Sequence, residues 1–478
     1  MFYQMLLDLQ NNAYRLPLFI SYNGGDIPFA YAPFTFYLGA LLSDFTPISL
    51  LQILQYFPAV MSIASLCAFL WLSNTILASP EQAAFATLIF ALVPRTYNWE
   101  IMGGGLTRSP GFFFALLTIG MAYRLYRHPT PTRIVLTGLF GTLAVLSHLE
   151  MGVAAGVGSI LCYLVYGRKR QSIRSSLIVT AIVLAGSSPW WVSILANHGI
   201  GPFWAAAHTG HHSWLNWLSW LSLSFSQEPF GTIATVVGLL GIFTLIAERR
   251  YFLPLWFIVI FLVDPRKAAT LSIVPLSMAV GYFLSGSFLP GLRAKGFSPR
   301  LGTVFLSIVT LSMLLSSLAA ATPAWDNPMQ VLPLAEREAM VWVRQNTPSD
   351  SQFVMVTSTP EWPSDAASEW FPVLAARRSL STVQGTEWLP NGLYEMAIER
   401  YDDLQICASE GAGCVQEWSA SNDIQFTHIY ISKTAIHYAE GRNPDCCIIL
   451  RKNLSENPDY QVIYDGPGAM VLSHNPRE

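Results

Sequence analysis

"GRKRQSIRSSLIVTAIVLAGSSPWWVSILA", residues 167–196, sets four Lys or Arg directly against twenty-two residues without a charge. A spanning helix needs about 20 predominantly apolar residues, and basic residues collect in cytoplasmic loops. The stretch therefore reads as a membrane helix entered from a basic inner loop. Further apolar runs lie at 51–77, 82–94, 109–126, 132–148, 150–167, 231–247, 251–263, 268–287 and 301–321, with 175–196 completing ten. The shorter ones span by tilting or with help from interfacial residues.

Alternating the spans across a bilayer places Arg124, Arg127 and Arg133 on the same side as "GRKRQSIR" (167–174), "ERR" (248–250) and "RAKGFSPR" (293–300). These loops hold twelve Lys or Arg, whereas the opposite face between residues 44 and 325 holds only Arg95, Arg108, Arg266 and Lys267. The first set is cytoplasmic by the positive-inside rule. The inner loop "ASPE" (78–81) has no basic residue, so the rule acts in aggregate. Composition agrees: 52% of the 478 residues are hydrophobic and 12% charged, with a mean hydropathy of +0.39, against about 25% charged in an ordinary soluble domain. A net charge of −3 argues against nucleic acid as a partner. Continuous apolar runs argue for helices and against a membrane β-barrel.

This topology puts residues 1–50 outside the cytoplasm as an external segment with short helices, followed by the helical bundle (51–321) and a polar tail (322–478). Within the first segment, "YNGGDIPFAYAP" (22–33) is a shaped loop by its Gly, Pro and aromatic content. A spanning helix is expected upstream of Met1, with residues 29–43 as the alternative span. In the tail, "LAEREAMVWVRQN" (334–346) has the spacing of an amphipathic helix. Strands are expected at "SQFVMVTS" (351–358), "FTHIYIS" (426–432), "CCIILRK" (446–452), "YQVIY" and "AMVLSH". The tail is a small α/β domain outside the cytoplasm. It holds Cys407, Cys414, Cys446 and Cys447 of the six cysteines, an even number that suits disulfides in an oxidising compartment. Cys407–Cys414 is the expected bridge, with Cys446 and Cys447 reaching across to them or remaining thiols.

Ionisable residues at the outer face are the candidates for chemistry, since holding charge near bilayer depth is costly. "PRTYNWEIMGGGLTRSP" (94–110) places Glu100 and Arg108 on either side of Gly103, Gly104 and Gly105. Glycines there can cradle an anion with backbone amides, or simply link two spans. "SHLEMG" (147–152) sets His148 and Glu150 at a second outer turn, which serves a site or forms a plain polar hairpin. "HTGHHSWLNWLSWLSLSF" (208–225) offers His208, His211 and His212 to a metal or phosphate, or to the interface alone. Its tryptophans at spacing three suit an interfacial helix. "DPRKAATLSIVPL" (264–276) opens a span with Arg266 and Lys267, which violate the positive-inside rule. They meet an anion, such as a lipid phosphate, or ordinary headgroups and Asp264.

Taken together, "YNGGDIPFAYAPFTFYLGALL", "WEIMGGGLTRSPGFFFALL", "LSHLE", "DPRKAATLSIVPL", "EWFPVLAARRSLSTVQGTEW" (369–388) and "YDGPGAMVL" (464–472) resemble the GT-C superfamily of polytopic glycosyltransferases. The likeness extends to its bacterial members labelled membrane 6-pyruvoyl-tetrahydropterin synthase-related. The resemblance implies an α-helical GT-C-like bundle of about 10 spans in a bacterial plasma membrane. It further implies hexosyl or pentosyl transfer from a polyprenyl-phosphate sugar donor to a glycan, lipid or protein acceptor at the outer face. A catalytic acid is then expected at the start of the first external loop, upstream of Met1, with Asp8 and Asp26 as local substitutes. Glu100 is the further catalytic candidate; Arg266, Lys267, Arg108 and Gly104 would bind the donor phosphate. Tyr22, Asn23, Tyr31, His148, Glu150, His208, His211 and His212 would bind substrate. A divalent cation is compatible with the resemblance and is not assigned. The alternative is a non-catalytic protein that binds a glycan or partner through its external domain.

Overall fold

The computed structural model describes residues 1–102, 105–167, 169–209, 225–265, 267–321, 332–434 and 446–475. Arg266, Gly104, His211, His212 and the tryptophans at 214, 217 and 220 lie outside the described residues. Every apolar run read as a span coincides with a helix: α3 (Leu50–Ile76), α4 (Pro80–Leu92), α6 (Gly105–Arg127), α7 (Pro131–Ser147), α8 (Leu149–Tyr166), α9 (Arg170–His198), α11 (Ile233–Ala247), α12 (Phe252–Val263), α13 (Ala268–Tyr282) and α15 (Pro299–Ala321). Five are long and apolar enough to cross a membrane alone, α13 through its continuation to Ala294. Local signals start them. Ser49 and Gln52 form a reciprocal capping box at α3, and Ser79-Pro80 and Thr130-Pro131 open α4 and α7, satisfying amides that have no partner within the helix.

The chain forms two compact units. One, residues 31–193 and 210–325, is the helical bundle. Its core joins α3, α4, α6, α8, α11, α12, α13 and α15, with Phe69 stacked on Phe90 at 4.0 Å. Helices cross closely where a side chain is missing: a Cβ on Gly241 would lie 2.2 Å from the Ala279 carbonyl oxygen. Small residues at such crossings let membrane helices gain contact area without a hydrophobic driving force between them. Helix α2 (Phe34–Phe45) also belongs to this unit; at 12 residues it covers only part of the 29–43 run considered as a span.

The other unit joins residues 1–30 and 194–209 to 326–478, so the N-terminal loop and the end of α9 group with the tail sequence. The tail is an α/β sandwich. Its five-stranded sheet has the order β4 (Arg378–Ser379), β3 (Gln352–Val356), β5 (His428–Ser432), β7 (Ala469–His474), β6 (Tyr460–Asp465); β3 runs parallel to β4 and β5, and β7 is antiparallel to its neighbours. Strand alternation divides the core. Phe353, Met355, Tyr430 and Val471 pack under α16 (Leu334–Asn346) and α17 (Ala366–Leu374). Val354, Val356, Ile429, Ile431 and Leu472 pack under α18 (Leu393–Glu410), α19 (Ala412–Ser421) and α20 (Ile448–Glu456).

Two expectations change. "CCIILRK" enters a helix rather than a strand, because Leu450 and Leu454, four apart, are both buried while Ile448 and Ile449 stay exposed. Cys446 and Cys447 bond to each other instead of reaching across or remaining thiols, whereas Cys407 and Cys414 form the expected bridge between α18 and α19.

Candidate active site of the helical bundle

Three turns of the bundle bring their ionisable residues together. The first is α5 (Arg95–Ile101), which carries Trp99 and Glu100 and joins α6 through a tight turn. Gly105 closes that turn against the Glu100 carbonyl, where a Cβ would sit 2.4 Å away. The turn aims Arg108 back over the loop: its guanidinium donates to the Met102 carbonyl at 3.1 Å and lies 4.2 Å from the Trp99 ring centroid. The second turn joins α7 to α8 at His148 and presents Glu150 in the first turn of α8. The third precedes α13, where Asp264 accepts from the Lys267 amide at 3.1 Å. Lys267 Nζ then donates to Glu150 Oε2 at 2.6 Å and stands 5.1 Å from the same Trp99 ring. His148 Nδ1 is 3.9 Å from Glu150 Oε2.

Trp99 is thus flanked by two cations, an arrangement that the ring quadrupole favours. Glu100 is 1% exposed, and neither carboxylate oxygen hydrogen-bonds to a described residue; the buried Trp99 indole N–H likewise has no such partner. Burial pushes the Glu100 carboxyl up to about 7, against the opposing pull of Arg108 and Lys267. A carboxylate and an indole donor left open in a charged, buried cluster invite a ligand, because buried polar groups are otherwise nearly always paired. Tyr31 also lies within the field of Arg108.

A narrow apolar groove between α6, α8, α12 and α13 reaches this cluster at Glu150 and Asp264. Phe112, Leu116, Val153, Trp256 and Ile260 line it, and Glu150 and Asp264 contribute its polar end. Glu228 supports the first turn from behind and has no counterpart among the sequence candidates. Its carboxylate accepts from Ser226 Oγ at 2.6 Å and from the Ala234 amide at 3.0 Å, while the Ser226 carbonyl accepts from the Arg95 amide at the start of α5. A carboxylate ahead of an apolar helix gives no sequence cue to such a remote link.

The remaining described candidates fall in the other unit, where Asp8, Tyr22, Asn23 and His208 have internal partners. Asp8 accepts from the Gln4 side chain at 2.8 Å and the Ser21 amide at 2.7 Å. Tyr22 donates to the Glu369 carbonyl at 2.7 Å. Asn23 makes a reciprocal pair with the Ser379 backbone, donating at 2.9 Å and accepting at 2.7 Å. Asp26 is exposed at a φ of +66° in the same loop, and His208 Nδ1 bonds its own helix at the Trp204 carbonyl, 2.7 Å away. Among the described residues no three His, Cys, Asp or Glu side chains converge on a metal position.

No protein-family model and no curated protein matches the sequence. Solved structures do share the fold. An oligosaccharyltransferase from Archaeoglobus fulgidus aligns over 90% of this chain and 65% of its own, with 14% identity and a TM-score of 0.53. ArnT from Cupriavidus metallidurans aligns over 99% and 92%, with 11% identity and a TM-score of 0.57. The arabinofuranosyltransferase AftD from Mycobacteria aligns over 100% and 39%, with 13% identity and a TM-score of 0.59. The chain therefore spans less than two thirds of the archaeal and mycobacterial proteins. At these identities the likeness is one of fold: a multi-pass, α-helical membrane bundle with a small C-terminal α/β domain, an architecture these proteins share.

Proposed function

We propose that the chain is a membrane glycosyltransferase that moves a sugar from a polyprenyl-phosphate donor to an acceptor at the outer face of the membrane. The observation that carries this reading is the convergence of Glu100, Arg108, Glu150 and Lys267 around Trp99 at the head of an apolar groove. A lipid-linked phosphate has the matching shape, with a chain for the groove and an anion for the cations. Its leaving oxygen gains negative charge as the bond to the anomeric carbon breaks. Arg108 and the remaining donors of the Lys267 ammonium stabilise that charge; removing one such donor commonly costs about 10²–10³ in rate. Glu100, held near neutrality by burial, takes the proton of the attacking acceptor hydroxyl, a contribution of about 10²–10⁴. His148 and Tyr31 border the same cluster and orient the sugar. Two of the structural neighbours, named as an oligosaccharyltransferase and an arabinofuranosyltransferase, support sugar transfer as the reaction class.

The tail domain is read as extracytoplasmic, in keeping with its two disulfides and the loop charges. A second reading draws on the bonded state of Asp8, Tyr22 and Asn23: a non-catalytic protein that binds a glycan or protein through the tail. Full-length protein reconstituted with a polyprenyl-phosphate sugar separates the two. Arg108→Ala combined with Lys267→Ala is expected to lower transfer at least about 100-fold while leaving membrane insertion unchanged. Unchanged transfer would remove the assigned role, and absence of transfer by the wild type across such donors would favour the binding protein.

A further inference from the structure

The unit that carries the tail domain also bears an apolar patch that no described residue covers. Leu18 and Phe19 are 51% and 48% exposed, Ile200 67% and Trp204 64%. Two separate segments build it. Phe19 meets His198, the last residue of α9, edge-on at 5.0 Å, and Ile200 and Trp204 follow on α10 (Gly201–His208) within six residues of the end of α9. On its other side α10 packs against the tail turn Thr386–Trp388.

What covers the patch follows from its continuity with a spanning helix. Helix α9 is 29 residues long, apolar enough to cross a membrane and mostly unburied within the protein, and Leu177, Leu184, Val192 and Leu195 are exposed along it. A surface of that length and apolar character suits lipid. It runs without a charged residue into Ile200 and Trp204, and the Phe19–His198 contact extends it sideways to the N-terminal loop. Tryptophan and phenylalanine at the end of a span are the residue types that settle at headgroup level. We propose that Leu18, Phe19, Ile200 and Trp204 form a membrane-interface anchor that seats the N-terminal loop and the tail domain on the bilayer surface, its occupant being the phospholipid headgroup and upper acyl region. The patch transmits this hold to the tail through α10 and through the Asn23–Ser379 pair four residues from Phe19. The anchor is independent of whether the chain transfers a sugar.

The test uses the full chain in liposomes of phosphatidylethanolamine and phosphatidylglycerol. The photo-crosslinking residue p-benzoylphenylalanine replaces Phe19 or Trp204, or, as control, the exposed Asp26. Mass spectrometry after illumination is expected to find phospholipid adducts at 19 and 204 at several times the level at 26. Adduct levels at 19 and 204 equal to that at 26, or cross-links to protein in their place, would overturn the anchor. Should a substituted protein fail to insert, the wild type is illuminated in liposomes doped with a diazirine phospholipid. Peptides containing residues 18–19 and 200–204 are then expected to carry label, and their remaining unlabelled while α9 peptides are modified would equally overturn it.

Discussion

Glu100 shows how one residue takes its character from its surroundings. Alone in the sequence it is an ordinary outer-loop acid; buried beside Trp99, Arg108 and Lys267 it titrates near neutrality. Glu100→Gln, which keeps size and polarity but cannot accept the proton, is expected to reduce sugar transfer about 10²–10⁴-fold and to remove the corresponding limb of the pH–rate profile near 7. Lipid-donor binding, measured by equilibrium dialysis in detergent, should change little. Gly105 is a second residue whose role is geometric. Gly105→Ala pushes a methyl group into the Glu100 carbonyl, and overpacking of this kind costs about 1–3 kcal/mol, read as a lowered unfolding temperature together with a loss of transfer. Sequence marked Glu100 as a candidate but not its burial, and it read the glycines as an anion cradle or a plain link between spans; the described one makes room for backbone.

At the level of elements, the tail sheet couples its stability to pH. Burial raises the Glu336 carboxyl on α16 to about 6 and the Glu387 carboxyl to about 7, above their ordinary value of 4.5. A folded state that holds protons more tightly than the unfolded one is favoured at low pH. The contribution of these two groups is therefore full below about 4.5 and is lost as pH rises through 6 and 7. Unfolding of the full chain in detergent, followed by circular dichroism between pH 4.5 and 8, should show that decline, and Glu336→Gln should flatten its lower part. The disulfide between Cys407 and Cys414 ties α18 to α19 over a separation of seven residues. Cys414→Ser is expected to lower the unfolding temperature of the tail with a cost of about 2–3 kcal/mol. Helix α16, strand β3 and the β6–β7 pair were legible from apolar spacing and turn residues. The first turn of α20 was not, because Cys-Cys-Ile-Ile reads as a strand until the burial of Leu450 and Leu454 is known.

For the whole molecule, the distribution of twelve basic residues over one set of loops predicts an orientation, which can be tested from outside the cell. A cysteine at exposed Ser455 in the tail should react with a membrane-impermeant maleimide in intact cells. One at exposed Ser298, in the loop before α15, should react only after the membrane is opened. The opposite pattern would invert the topology. The bundle itself was readable because its spans are long, apolar and separated by charge, and each expected run became a helix. Its meeting of Glu100, Arg108, Glu150 and Lys267 joins positions up to 167 residues apart. Sequence order marked each as an outer-face residue, and only packing of α6, α8 and α13 put them around one ring.

The sequence by itself carried what depends on local chemistry: spans from apolar length and the Cys407–Cys414 pairing, with orientation an expectation from loop charge. Tertiary structure decided which of the marked polar residues remain open to a ligand. It gave Asp8, Tyr22 and Asn23 partners within their own unit and left the Glu100 carboxylate without a hydrogen bond to any described residue. The physical reason is that a side chain's hydrogen-bond partners and burial are set by segments remote in the chain, whereas transfer of an apolar run into lipid depends on that run alone.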